Sequence, residues 1–181
     1  KMKLKSVYQP DSMDCGPVCL QAIAKYYGKN IPLQRIRETS AMTREGVTML
    51  GLSEAAQEIG LKTTGVKITL EQLTSDMPLP CILFWNQNHF VVCYDVTGKG
   101  DKRTFHIMDP AIGKIKYGIK NMQRHWIFGF LEGEEIGLAM QVEKTMDFNR
   151  IDKEENGNVN GLKYFLQHLV PFKFRYLHIL A

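Results

Sequence analysis

The chain is predicted to fold as an α+β protein in which an N-terminal helical lobe packs on a C-terminal antiparallel sheet and leaves a cleft between them. Three features of the 181 residues predict this. Up to Gly60 the apolar residues recur at helical spacing. Beyond the break at Pro78 and Pro80 they fall in short β-branched and aromatic runs. Those runs are joined by brief Asn, Gly, Asp or Pro turns, which suit antiparallel neighbours.

In the first half, Cys19, Ala22, Ile23 and Tyr26 stand at i, i+3, i+4 and i+7, one face of a helix that Gly28 closes. Asp14 is read as its N-cap, and Pro17 lies in the first turn, where a missing N–H costs nothing, so the helix begins close to Cys15. A second short helix is expected over 33–38. A third is expected over 48–59, where Met49, Leu52, Ala56 and Ile59 share a face and Gly60 stops it. Thr69 and Gln72 have capping-box spacing for one more short helix.

In the second half, strands are expected over 81–85, 89–96, 103–109, 114–117 and 128–132, and Gly133-Glu134-Glu135 reads as a rather long turn. The domain should end near Phe148, giving a domain over 1–148. The polar stretch Lys153-Glu154-Glu155-Asn156-Gly157-Asn158 marks a linker over 149–161. In 162–181, Leu162, Phe165, Leu166 and Leu169 form a helical face, followed after Pro171 by Phe172-Lys173-Phe174-Arg175-Tyr176-Leu177. A segment so amphipathic, basic and aromatic is expected at a membrane interface, at the start of a larger membrane protein.

Composition narrows the function classes. With 44% apolar and 23% charged residues the chain can bury an ordinary core, and a net charge of +4 without a basic aromatic stripe gives no nucleic-acid signal. The first eleven residues contain no apolar run of a secretory signal, and the four cysteines sit in apolar segments, which predicts reduced thiols. There is no phosphate-loop motif, no apolar run of about 18 residues that would span a membrane, and no zinc-ligand spacing.

The residues suited to chemistry are Cys15, His89, Asp109 and Gln9. A thiol attacks as the thiolate, and a helix N-terminus, where Cys15 is placed, stabilises negative charge. The runs 89–96 and 103–109 flank Gly98-Lys99-Gly100. A hairpin centred on Lys99 sets His89 opposite Asp109, with Cβ atoms roughly 4.5–5.5 Å apart, within reach of an imidazole–carboxylate hydrogen bond. His89 would then hold the Cys15 thiolate as an ion pair and Asp109 would fix the imidazole tautomer, while Gln9 offers an N–H to a developing oxyanion. His106, His125, His168, His178, Cys19, Cys81 and Cys93 read as structural, as do Met49 and Met77.

These residues resemble a known family, the papain-like leader peptidases fused to peptide-exporting ABC transporters. The resemblance rests on Gln9-x4-Asp14-Cys15-Gly16-Pro17, Glu45-Gly46-Val47-Thr48-Met49-Leu50-Gly51-Leu52 with Ala55-Ala56, His89-Phe90-Val91-Val92, and Asp109-Pro110-Ala111-x-Gly113, in order over 7–148. It implies a papain-like fold and hydrolysis after the Gly-Gly pair that ends the leader of a precursor peptide, coupled to export. It further implies a partner in the rest of the transporter, contact with the membrane through 162–181, and a place on the cytoplasmic face of the bacterial cell membrane. No cofactor is expected in this fragment, ATP belonging to a nucleotide-binding domain elsewhere. A helical leader is expected to lay apolar residues in a surface groove. The alternatives are a non-catalytic relative that tethers substrate to a transporter, and another papain-like acyl-transfer enzyme.

Overall fold

The structure is a computed structural model and describes residues 4–40, 43 and 46–150. Its elements run α1 Cys15–Tyr26, α2 Leu33–Thr39, α3 Met49–Glu58, β1 Leu61–Thr69, α4 Leu70–Ser75, β2 Cys81–Trp85 and β3 His89–Thr97. They continue as β4 Thr104–Asp109, β5 Gly113–Gly118, α5 Ile119–Trp126, β6 Ile127–Leu131, β7 Glu134–Lys144 and α6 Met146–Arg150. The sheet has the order β1-β7-β2-β3-β4-β5, with β6 also on β7, and every pairing is antiparallel.

The sheet is buried on both faces. Ile82, Phe90, Val92, Met108 and Met140 pack with α1, α2 and α3. Leu83, Val91, Cys93, Phe105 and Ile107 pack with Leu73 of α4 and Met122 and Trp126 of α5. That is why β2 and β3 read as unbroken apolar runs and not as alternating ones. The expected helical lobe is therefore one of two covering layers. Helix α5 was not read from the sequence, although Ile119, Met122 and Trp126 at i, i+3 and i+7 give its inward face.

Local signals act largely as expected at helix ends. Thr48 Oγ1 accepts from the Gly51 N–H, and Thr69 and Gln72 form the reciprocal capping box. Gly28 and Gly60 stand just past α1 and α3 with φ of +100° and +75°. The longest pairing was missed: β1 meets β7 from Leu61 opposite Lys144 to Thr69 opposite Ile136. β1 is half exposed and carries Gly65 in its middle, so it lacks the apolar run that announced the other strands. The stretch Gly133-Glu134-Glu135 is no long turn. Glu132 and Gly133, both with positive φ, make a two-residue hairpin, and Glu134 already pairs with Leu131.

Phe148 is fully buried against the α1–α3 layer, and Tyr27 meets its ring at 6.1 Å. The linker expected over 149–161 lies, past its first two residues, outside the described residues, and the interfacial segment over 162–181 lies wholly outside them. Among the described residues no helix is long and apolar enough to cross a membrane.

Candidate active site

Cys15 is the first residue of α1, and the turn that delivers it is tightly tied. Asp11 Oδ1 accepts from the Met13 N–H at 2.9 Å, and the Asp11 N–H donates to Asp14 Oδ2 at 3.1 Å, which closes a capping box over the single 3-10 turn Ser12–Asp14. Asp14 does not cap α1 with its side chain, contrary to the sequence reading. Its carboxylate is 1% exposed and is gripped by the Arg37 guanidinium of α2, Nε to Oδ1 at 2.7 Å and a terminal nitrogen to Oδ2 at 2.5 Å. That hydrogen bond also raises the Arg37 pKa and keeps the side chain charged. Next to the thiol, Gly16 admits close packing: a Cβ there would lie 2.4 Å from Val47 Cγ1.

His89 opens β3, opposite Trp85 across the Asn86–Gln87 turn. Its relation to Asp109 differs from the predicted hairpin. The loop after Gly98 includes a 3-10 turn at Gly100–Lys102, so Thr97 pairs with Thr104, and the register shifts between Cys93 and Asp95 so that Val92 meets Met108. Continued, that register sets Asp109 opposite Val91, two residues from the predicted partner. The two side chains are diagonal neighbours and still meet, with His89 Nε2 2.8 Å from Asp109 Oδ1.

The electrostatics of this pair are mutual. An ionised carboxylate only accepts, so Nε2–H donates to Asp109, which leaves Nδ1 as the ring nitrogen available to the sulfur of Cys15 in the same cleft. Burial alone would lower the His89 pKa, but the hydrogen bonds to Asp109 and Cys15 and their negative charges prevail and raise it to about 9. Burial likewise opposes ionisation of Asp109, yet the bonds from His89 and from the Ala111 N–H, at 2.8 Å, hold its pKa below the ordinary carboxylate value.

Gln9 reaches the same place from the N-terminal strap. Its backbone N–H donates to Pro110 O at 2.9 Å, which ties the strap to the turn after Asp109. Its side-chain Oε1 is buried, with no hydrogen-bond partner among the described residues. Cys15, His89, Asp109 and Gln9 thus line one cleft of about 1060 Å³. The other cysteines do not line it. Cys19 is fully buried, and burial pushes its thiol well above the usual value. Cys81 and Cys93 face each other across β2 and β3, and the hydrogen bond with Cys93, ahead of burial, raises Cys81. His106 pairs with Thr97 Oγ1 at 3.0 Å, away from the cleft.

One residue that the sequence reading takes as structural also lines the cleft. His125, at the end of α5, stacks on Trp85 with ring centroids 5.3 Å apart and lines the cleft beyond His89. Its carbonyl accepts from the Asn86 N–H and its Nδ1 meets Asn86 Oδ1, both at 2.9 Å. Only the unread α5 brings it there. Among the described residues no three His, Cys, Asp or Glu side chains come together to hold a metal ion.

Comparison with known proteins places this arrangement. The profile of the Peptidase C39 family matches residues 3–131. The lactococcin-G-processing and transport ATP-binding protein of Lactococcus lactis subsp. lactis is 35% identical over 127 residues, which cover 67% of this chain and 18% of that protein. A probable microcin-H47 secretion/processing ATP-binding protein of Escherichia coli is 30% identical over 148 residues, 82% of this chain and 19% of that one. The chain thus spans less than a fifth of the length of these relatives. Among solved structures, a double glycine motif protease from an AMS/PCAT transporter, in complex with the leader peptide, superposes with a TM-score of 0.67 at 29% identity, over 80% of this chain and 94% of that one. The peptidase domain of Streptococcus ComA, a bi-functional ABC transporter, superposes with a TM-score of 0.65 at 27% identity, over 79% of this chain and the whole of the other. The mixed architecture of helices and antiparallel sheet is the fold of these peptidase domains.

Proposed function

Because the chain belongs to the peptidase C39 family, we propose that it is the cysteine peptidase domain of a peptide-exporting ABC transporter and cuts precursor peptides after the Gly-Gly pair of their leader. The observation that carries this reading is the meeting, in one cleft, of a thiol at a helix N-terminus with an imidazole that a buried carboxylate steadies. The processing and transport roles printed for the relatives, and the leader peptide bound to the structural neighbour, support it. Cleavage is favoured over a tethering role because none of the four residues Gln9, Cys15, His89 and Asp109 is replaced.

In this mechanism the Cys15 thiolate attacks the carbonyl carbon of the second glycine, and the oxyanion is met by the Cys15 N–H and the Gln9 amide. The His89 imidazolium gives its proton to the leaving amine. Neutral His89 then takes a proton from the water that hydrolyses the thioester, and Asp109 keeps the ring oriented throughout. Glycine on the acyl side suits a cleft too narrow beside the thiol to admit a Cβ. The remainder of the transporter, with its ATP-binding domain, lies outside this chain. The segment 162–181 is assigned to the membrane interface and the domain over 1–148 to its cytoplasmic side.

The test is direct. The chain is incubated with a synthetic precursor carrying a Gly-Gly leader, beside the Cys15→Ala variant. Cleavage after Gly-Gly by the parent alone is expected. Binding without cleavage would leave only the tether.

A further inference from the structure

The cleft has two walls, and the chemistry above uses one. Cys15 belongs to the layer of α1, on one side of the sheet, whereas Trp85 packs in the layer of α5, on the other. His89 stands between them, lining the cleft with Cys15 and directly opposite Trp85 in register. On the α5 side, the His125 ring stacks on Trp85 at an interplanar angle of 15°, and the Tyr117 ring meets Trp85 and His125 at 5.5 and 5.6 Å. Trp85 is only 2% exposed, so the rings that face the cleft are Tyr117 and His125, both half-buried.

The adjoining turn is held in an unusual shape. Asn86 and Gln87 both have left-handed φ, +49° and +61°, a conformation that hairpin turns of this kind normally give to Asn and Gly. Gln87 adopts it at a cost, under the two hydrogen bonds that lock Asn86 to the end of α5. The turn therefore presents its exposed side chains to the cleft from a fixed backbone.

A peptide cut by Cys15 crosses His89 in one sense only. The acyl half stays on the sulfur. The leaving amine must take its proton from the imidazole, so the residues that follow the cut run out past His89 on the side away from Cys15. We propose that Tyr117, His125 and the Asn86–Gln87 turn form the subsite for the first residues of the released peptide, and that this subsite favours a flat or apolar side chain directly after the Gly-Gly pair. The inference rests on the peptidase reading and extends it to the cargo side of the scissile bond. Two half-buried rings that line the cleft at the edge of a buried indole make such a side chain the matching ligand.

Two precursors with the same leader through Gly-Gly, one followed by Tyr and one by Asp, test it on the whole chain. The parent is expected to cleave the Tyr peptide with a kcat/KM about three- to tenfold higher, the range that a stacked ring contact supplies. In Tyr117→Leu and His125→Ala the ratio should fall toward one. A leader peptide ending in a Gly-Gly aldehyde occupies only the acyl side and adds reversibly to Cys15, so its inhibition constant should be the same in parent and variants. No preference in the parent, a preference retained in both variants, or aldehyde inhibition that weakens together with cleavage would each overturn the subsite. A parent that cleaves neither peptide would instead sink the peptidase reading itself.

Discussion

Replacing Arg37 by Gln should destabilise the domain through a carboxylate that never touches substrate. Asp14 is 1% exposed, and both its oxygens are engaged, by the Arg37 fork and by the Asp11 N–H. Without the guanidinium, a buried anion keeps one backbone donor. Stripping one partner from a fully buried pair costs about 3–5 kcal/mol. The Arg37 side chain is 28% exposed, so water reaches part of the space it leaves, and about 2–3 kcal/mol is the expected loss. With a urea m-value of about 2 kcal/mol per molar, the unfolding midpoint should fall by about 1–1.5 M. The double variant Arg37→Gln/Asp14→Asn should regain most of this, because an amide buries at far lower cost than an unpaired anion. Since Asp14 anchors the turn that feeds Cys15 into α1, the single variant should also slow alkylation of Cys15 by iodoacetamide. A loss below about 0.5 kcal/mol, or a double variant no more stable than the single one, would refute the reasoning.

Further outcomes follow from the same geometry. His89 has its pKa raised to about 9, so its contribution to stability is complete below its unfolded value of about 6.5 and is lost as pH rises through about 9. Asp109 is depressed, so its contribution is present above its unfolded value and lost as pH falls through the lower folded one. Urea melts of the parent and His89→Asn against pH should show a difference that shrinks between about 6.5 and 9, and kcat/KM should have its basic limb near 9, where the imidazolium acid is lost. Gln9→Ala should lower kcat by about 100-fold with little change in KM if its amide meets only the oxyanion, as a pre-steady-state assay would show. Gly137→Ala should cost about 1–3 kcal/mol by thermal melting, since the new Cβ would lie 2.2 Å from the buried Trp126 ring, whose Nε1 is fixed to Leu138 O.

The elements legible in the sequence were those whose signal is local. The Thr69–Gln72 box, the Gly60 stop and the apolar runs of β2 and β3 each decide their structure within a few residues. What was hidden depends on distant partners. β1 earns its place in the sheet only by lying against β7, 67 to 83 positions further on, and its own residues are half polar. Asp14 illustrates the same limit: an Asp before a helix reads as a cap, and nothing nearby indicates that Arg37 of another helix will claim both oxygens. His125 could be placed in the cleft only through a helix that was not read at all.

The pairing of His89 with Asp109 shows how a reading can miss its route and reach its contact. Near the loop, Thr97 pairs with Thr104 and Asp95 with His106; carried to the end of β3 without interruption, that register sets Asp109 opposite Val92, on the face opposite to His89. The bulge at Tyr94 removes one residue from the count, aligns Asp109 with Val91, and returns it to the face that His89 shares. A tight turn on Lys99 would have given the same face by a shorter path, which is why the simple hairpin predicted the contact. The contact at 2.8 Å therefore depends on loop length and bulge together, and neither is visible in the motif His89-Phe90-Val91-Val92. Straightening the bulge with Tyr94 still in the chain would turn Asp109 away from the imidazole, whereas deleting Tyr94 would take out the extra residue, leave Val91 opposite Asp109 and keep the contact. For this site, the spacing between motifs carries as much of the chemistry as the motifs themselves.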